Sequence, residues 1–208
     1  MTPGRFIALE GGEGAGKSTQ ARLLAEALRA RGMQVLLTRE PGGTPGAEAI
    51  RALLLHPPGD GWPAPAEALL FAAARADHVE RAIRPALAAG QWVVCDRFVD
   101  SSRAYQGGGG GLADADVLAL HRVGTGGLLP DLTLLFELDP ATAQARLAAR
   151  DGAGDDVIGG RGTVYHGAVA ATFAVLAEQE AERFARIDGS GGEHAVHARV
   201  LAALDARL

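Results

Sequence analysis

Short apolar runs alternate with longer stretches of helical period along this chain, and that alternation predicts its architecture. The strand-like runs cover 6–9, 35–38, 92–96, 132–138 and 184–187. Between the first two, 16–31 places Leu23, Leu24, Ala27 and Leu28 on one face and stops at Gly32, as a helix should. Residues 66–89 read as one long helix closed by Gly90. Further helices are predicted over 113–123, over 142–150 behind Asp139-Pro140, over 164–182 and over 193–207. Strands taken in turn with helices mark βαβ units, and hence a parallel sheet covered on both faces. Two glycine-rich stretches, 107–111 and 151–162, break the order and are expected to be surface loops, since neither suits the interior of an element. No repeat and no long linker divides the 208 residues, so 1–208 is expected to form one domain with one active site.

Composition narrows the class. Hydrophobic residues at 48% and charged ones at 22% are globular usage, with 29 Gly and 10 Pro below the level of low complexity. No stretch approaches the roughly 18 apolar residues of a membrane span, and MTPGRFIALEGG carries no long signal core, so a soluble cytoplasmic protein without membrane contact is expected. The single Cys95 excludes an internal disulfide, and no Cys or His pair has the spacing of a structural zinc site. A net charge of −5 argues against a nucleic-acid partner and makes any phosphate chemistry local. Among 20 Lys and Arg residues, Lys17 is the one lysine, and the chain has no Asn at all. Without Asn there is no N-glycosylation sequon and no Asn-Lys-x-Asp segment for reading guanine.

Directly after the first predicted strand, GGEGAGKS at 11–18 matches G-x-x-x-x-G-K-[ST] and then opens a helix. The glycines turn backbone N–H groups inward around phosphate oxygens, and the helix N-terminus adds its positive end. Lys17 reaches the β/γ-phosphates and the Ser18 hydroxyl can ligate Mg²⁺. The ATP-binding segment is therefore Gly11, Gly12, Glu13, Gly14, Ala15, Gly16, Lys17, Ser18 and Thr19. A chain that uses Arg at every other basic position keeps Lys here, where a compact ammonium on a flexible stem is needed.

A P-loop alone does not choose among kinases, motors and switches. Five segments in order do more: EGGEGAGKST (10–19), TREPGGT (38–44), LLFAAARADHV (69–79), CDRFVDSSRAYQGGG (95–109) and PDLTLLFELDP (130–140). In these the chain resembles the thymidylate kinase family over nearly its whole length. The expected fold is an α/β P-loop NTPase, three layers α/β/α around a central five-stranded parallel sheet, with a short lid at about 151–162. The resemblance implies transfer of the γ-phosphoryl of ATP to dTMP, giving dTDP and ADP in dTTP synthesis, with Mg²⁺ as cofactor and a homodimer as the assembly.

It also assigns residues. Asp96 and Arg97 fall at the mouth of the site, Asp96 suited to the metal with Ser18 or to orienting the nucleophile and Arg97 to a grip on phosphoryl oxygens; the alternative reading is a surface ion pair. Arg51 matches an acceptor-phosphate arginine, although by itself it reads as a solvated helix residue. Phe71 matches an aromatic that stacks on thymine, and Arg75, four residues on and so on the same helix face, bonds its exocyclic oxygen; without the family Phe71 reads as core. Ser101, Ser102, Tyr105 and Gln106 match the segment along the thymine edge and the sugar, Glu13 approaches the 3′-hydroxyl, and Glu40 joins the substrate-binding set. In the lid, Val157 stands where relatives carry a catalytic arginine, leaving Arg150, Arg161 and, further out, Arg146 to supply that charge, with Arg150 also matching an arginine that stacks on adenine. Trp62, Trp92 and the histidines at 56, 78, 121, 166, 194 and 197 form no constellation in the sequence.

Overall fold

A computed structural model describes residues 4–149 and 160–208. Its centre is β1 (Phe6–Gly11), β2 (Val35–Arg39), β3 (Trp92–Asp96), β4 (Leu132–Glu137) and β5 (Phe184–Asp188), in one sheet ordered β2-β3-β1-β4-β5 with every neighbouring pair parallel. This is the expected architecture. Along β1 the period of two sorts side chains between the sheet's faces. Ile7 and Leu9 enter one core with Leu24 and Leu28 of α1 (Lys17–Ala30) and Val196, Val200 and Leu204 of α9 (Glu193–Arg207). Phe6 and Ala8 enter the other, with Val79, Ile83 and Phe98. Each fully buried Leu, Ile or Phe contributes about 1.5–3 kcal/mol, so both faces of the sheet hold the fold. Among the described residues, no helix is long and apolar enough to cross a membrane.

The remaining helices are α2 (Pro45–Leu55), α3 (Ala64–His78), α4 (Arg84–Ala88), α5 (Val99–Ser102), α6 (Asp114–Thr125), α7 (Pro140–Ala149) and α8 (Thr163–Gln179). Three differ from expectation. The long helix of 66–89 is α3 and α4 joined by a π-helical turn, Val79–Ile83. That wider turn comes just before Pro85, whose ring would crowd the Arg81 carbonyl in an α-helix. α2 is absent from the predicted elements, although its start carries a cap: Thr44 Oγ1 accepts from Ala47 N at 3.3 Å and Pro45 follows.

The third correction concerns the glycines of 107–111, expected to form a surface loop. Gly107, Gly108 and Gly109 instead complete a π-helical stretch, Arg103–Gly109, that packs on α8. A Cβ on Gly108 would lie 1.9 Å from Thr172 Oγ1 and one on Gly109 would lie 2.5 Å from Tyr165 Cε2. Their lack of a side chain allows the two helices to touch, which is a packing role that local pattern does not encode. Of the expected lid, 151–159 lie outside the described residues, and so does Arg150.

Candidate active site

β1 ends at the centre of the sheet and the chain turns through the P-loop into α1. Gly16, at φ +88°, takes the left-handed conformation at the helix start, and the first turn of α1 has no acidic residue to compete for its positive end. Lys17 folds back across the loop, its Nζ donating to Gly12 O at 2.6 Å. Burial, helped by the nearby Arg97 charge, lowers its pKa to about 8. A desolvated ammonium beside the start of a helix is suited to a phosphate.

Two cavities open on either side of the P-loop's exit. The first, about 520 Å³, is lined by Gly14, Ala15, Gly16, Lys17 and Thr19 with Gln20, Arg146, Gly191, Glu193 and Val196. The second, about 420 Å³, is lined by Arg39, Glu40, Arg51, Phe71, Ser101, Ser102, Tyr105 and Gln106, among others. Glu13, Ser18, Asp96 and Arg97 line both. They form the seam.

At that seam Ser18 Oγ donates to Asp96 Oδ2, and the other carboxylate oxygen, Oδ1, is buried with no hydrogen-bond partner among the described residues. A buried orphan oxygen beside a hydroxyl suits a hard cation that completes its shell with water and phosphate oxygens. No cluster of three or more His, Cys, Asp or Glu side chains that could hold a metal by themselves exists among the described residues. Arg97 has a positive φ of 69°, and its guanidinium is tied down from all sides: Gly11 O at 3.2 Å, Ser101 Oγ at 3.1 Å, Glu13 Oε1 at 2.5 Å and Tyr105 Oη at 3.2 Å. The Arg97 charge holds the Glu13 carboxyl below its ordinary pKa. Beneath it, Glu10 is fully buried and accepts from Phe98 N (2.8 Å), Ser101 N (3.0 Å) and Ser101 Oγ (2.6 Å), which sets the turn after β3. Desolvation and the Asp100 charge push the Glu10 carboxyl up to about 7.

The wall of the second cavity is prearranged. Phe71 and Arg75 both come from α3, and buried Arg75 donates from Nε to Glu40 Oε2 (2.7 Å) and from Nη2 to Ser102 Oγ (2.9 Å) and Phe98 O (3.2 Å). Arg51 Nη1 donates to Pro41 O at 2.8 Å, and Gln106 Nε2 to Glu67 Oε1 at 3.0 Å. Burial pushes the Tyr105 phenol up to about 12, so it enters the cavity as a neutral hydroxyl.

A family model described as thymidylate kinase matches residues 9–200. The chain belongs to the thymidylate kinase family. Thymidylate kinases of Rhizorhabdus wittichii and Chromohalobacter salexigens are 56% and 50% identical to it, the first alignment covering 97% of both chains and the second 100% of this chain and 98% of the relative. The crystal structure of thymidylate kinase from Ehrlichia chaffeensis superposes with a TM-score of 0.75 at 30% identity, covering 97% of this chain and all of that one.

The residues that the family motifs single out do not all fall in one place. Glu13, Lys17, Ser18, Asp96 and Arg97 gather at the seam or in the first cavity, and Glu40, Arg51, Phe71, Ser101, Ser102, Tyr105 and Gln106 line the second. Gly11 and Gly12 line neither; their carbonyls hold Arg97 and Lys17, and Arg75 stands behind the wall. Arg161 is elsewhere: it pairs with Glu67 (Nη2 to Oε2, 2.5 Å) and Tyr165 Oη (2.7 Å), outside both cavity linings. Arg150 and Val157 lie outside the described residues. Arg146, the outlying candidate, lines the first cavity and donates to Gly191 O at 3.0 Å. Arg39 at the end of β2 lines the second cavity, and its place beside Glu40 in TREPGGT is the sequence signal that could have found it. Gly191 and Glu193 had no such signal, because α9 and the loop before it meet the P-loop only through the fold, where Gln20 of α1 donates to Glu193 O.

Proposed function

We propose that the protein transfers the γ-phosphoryl of ATP to the 5′-phosphate of dTMP, giving dTDP and ADP. One observation carries this: the P-loop cavity and the Phe71 cavity are separate spaces that share Glu13, Ser18, Asp96 and Arg97 as a common wall. ATP fits the first with its phosphates on the P-loop amides and Lys17, and dTMP fits the second with its base near Phe71 and Arg75 and its phosphate toward Arg51 and Arg97. Phosphoryl transfer needs little covalent help, so positioning and charge do the catalysis. Arg97 bridges the two spaces and grips oxygens from both sides. Ser18 and Asp96 Oδ1 would hold Mg²⁺, which when bound neutralises charge on the β- and γ-oxygens. Arg161 is the lid cation in this account, resting on a carboxylate that also holds Gln106 of the acceptor wall. A P-loop ATPase without an acceptor would leave the second cavity without an occupant.

Exposed Leu53, Leu69 and Val123 lie on α2, α3 and α6, which pack side by side, and they support a homodimer through that face. We infer a cytoplasmic protein, where both nucleotides are made. The test is ADP release with Mg-ATP and dTMP, dUMP, dCMP, dGMP, AMP or thymidine against a control without acceptor. The account predicts the highest kcat/KM for dTMP with dTDP as product; equal ADP release without any acceptor contradicts it.

A further inference from the structure

His78 lines neither cavity and is completely buried, yet it closes a chain of polar side chains that ends on the base side of the acceptor site. Its Nδ1 lies 3.0 Å from Glu40 Oε1 and its Nε2 lies 2.8 Å from Thr38 Oγ1. Glu40 uses its second oxygen, Oε2, to accept from Arg75 Nε at 2.7 Å, and Arg75 in turn reaches Ser102 Oγ at 2.9 Å. A carboxylate only accepts, so Nδ1 carries a proton and donates to Glu40, while Nε2 pairs with the Thr38 hydroxyl. Both polar atoms of the imidazole are thereby engaged, Nδ1 with Glu40 and Nε2 with Thr38.

The loop above confirms that the space is reserved. A Cβ on Gly43, which has φ +88°, would fall 2.5 Å from both His78 Nε2 and Thr38 Oγ1. The Pro41-Gly42-Gly43 turn therefore lies directly on the His78–Thr38 hydrogen bond, and Pro41 of the same turn holds Arg51. One buried imidazole stands between the arginine on the base side and the turn that carries the arginine on the phosphate side.

We propose that His78 is a positioning residue for base selection: through Glu40 it holds the Arg75 guanidinium, which stands behind the acceptor wall and fixes the Ser102 hydroxyl that lines it. The inference rests on the dTMP assignment above. With its oxygen accepting from Arg75, the Ser102 hydroxyl has its O–H left to donate into the cavity, and a fixed donor there accepts a carbonyl of the base and opposes an amino group, so this chain should govern dTMP against dCMP.

The experiment compares wild type, His78→Leu, His78→Asn and Thr38→Val for kcat, KM of each substrate, the ratio of kcat/KM for dTMP over dCMP, and Tm. Loss of the imidazole in His78→Leu should raise KM for dTMP about tenfold and lower the dTMP/dCMP ratio by a similar factor, with KM for ATP unchanged. His78→Asn keeps an amide N–H near the Nδ1 position and should recover most of both. Thr38→Val keeps the shape, removes only the hydroxyl, and should move both quantities a few-fold in the same direction; it decides the matter if His78→Leu does not fold. Wild-type KM and selectivity in folded His78→Leu or Thr38→Val overturn the proposal, as does a uniform loss for both substrates that follows Tm and is not rescued by Asn. A wild-type enzyme that does not prefer dTMP overturns the substrate assignment itself, and the inference with it.

Discussion

Arg97 Nη2 lies 2.5 Å from Glu13 Oε1, and this ion pair stands where the two cavities meet. Arg97 reaches it from a left-handed backbone, φ 69°, a conformation that costs on the order of 1–3 kcal/mol for a residue with a side chain. Its contacts with Gly11, Ser101, Glu13 and Tyr105 hold it there, and the Tyr105 ring lies 5.0 Å below the guanidinium carbon. A cation fixed before substrate arrives stabilises developing charge without reorganising. Arg97→Ala should therefore lower kcat by about 10²–10³ while KM for ATP moves little. Steady-state kinetics with both substrates varied checks this.

Asp96 is the one described residue with a buried side-chain oxygen left without a partner. If that oxygen serves a divalent cation, Asp96→Asn should raise the Mg²⁺ concentration for half-maximal rate by about tenfold or more at unchanged Tm. Titrating Mg²⁺ at fixed ATP reads it out. An unchanged Mg²⁺ dependence would remove Asp96 from the metal site.

Lys17 has its pKa lowered to about 8 by burial and by Arg97. Above that pH the free enzyme loses the ammonium that meets the phosphates. Accordingly kcat/KM for ATP should fall as pH rises through about 8, by up to about tenfold per unit. At saturating ATP, bound phosphates restore the charge and the kcat profile should turn at higher pH. Lys17→Ala should fold and lose turnover.

Glu10 predicts a pH-dependent stability. Its folded carboxyl is raised to about 7 by desolvation and Asp100, from an ordinary value of 4.5. Folding then takes up a proton between those values, so its contribution to stability is most favourable below 4.5 and is lost as pH rises through 7. Glu10→Gln keeps an acceptor for Phe98 N and Ser101 N and removes the charge. Its Tm should exceed that of wild type at pH 8, with the difference shrinking toward pH 5 in thermal melts.

Much of this protein is legible in its sequence because the determinants are local. The apolar runs of β1, β3 and β4 are buried on both faces, and the P-loop follows β1 without a gap. The glycines of 107–109 read as loop because their reason lies on α8, sixty residues on. His78 gave no constellation for the same reason: Thr38 and Glu40 sit on and beyond β2, and only the parallel pairing of β2 with β3 brings them to the end of α3. α2 is not legible in the hydrophobic pattern although Thr44-Pro45 is a helix start, since its apolar positions are mixed with exposed ones such as Leu53.

The most direct test of the central claim follows the phosphoryl group itself. With ATP labelled at its γ-phosphorus, transfer across the seam predicts that the label appears in the β-position of dTDP, one for each ADP formed, and that inorganic phosphate stays at background. Label released as inorganic phosphate at a rate independent of dTMP would contradict the account.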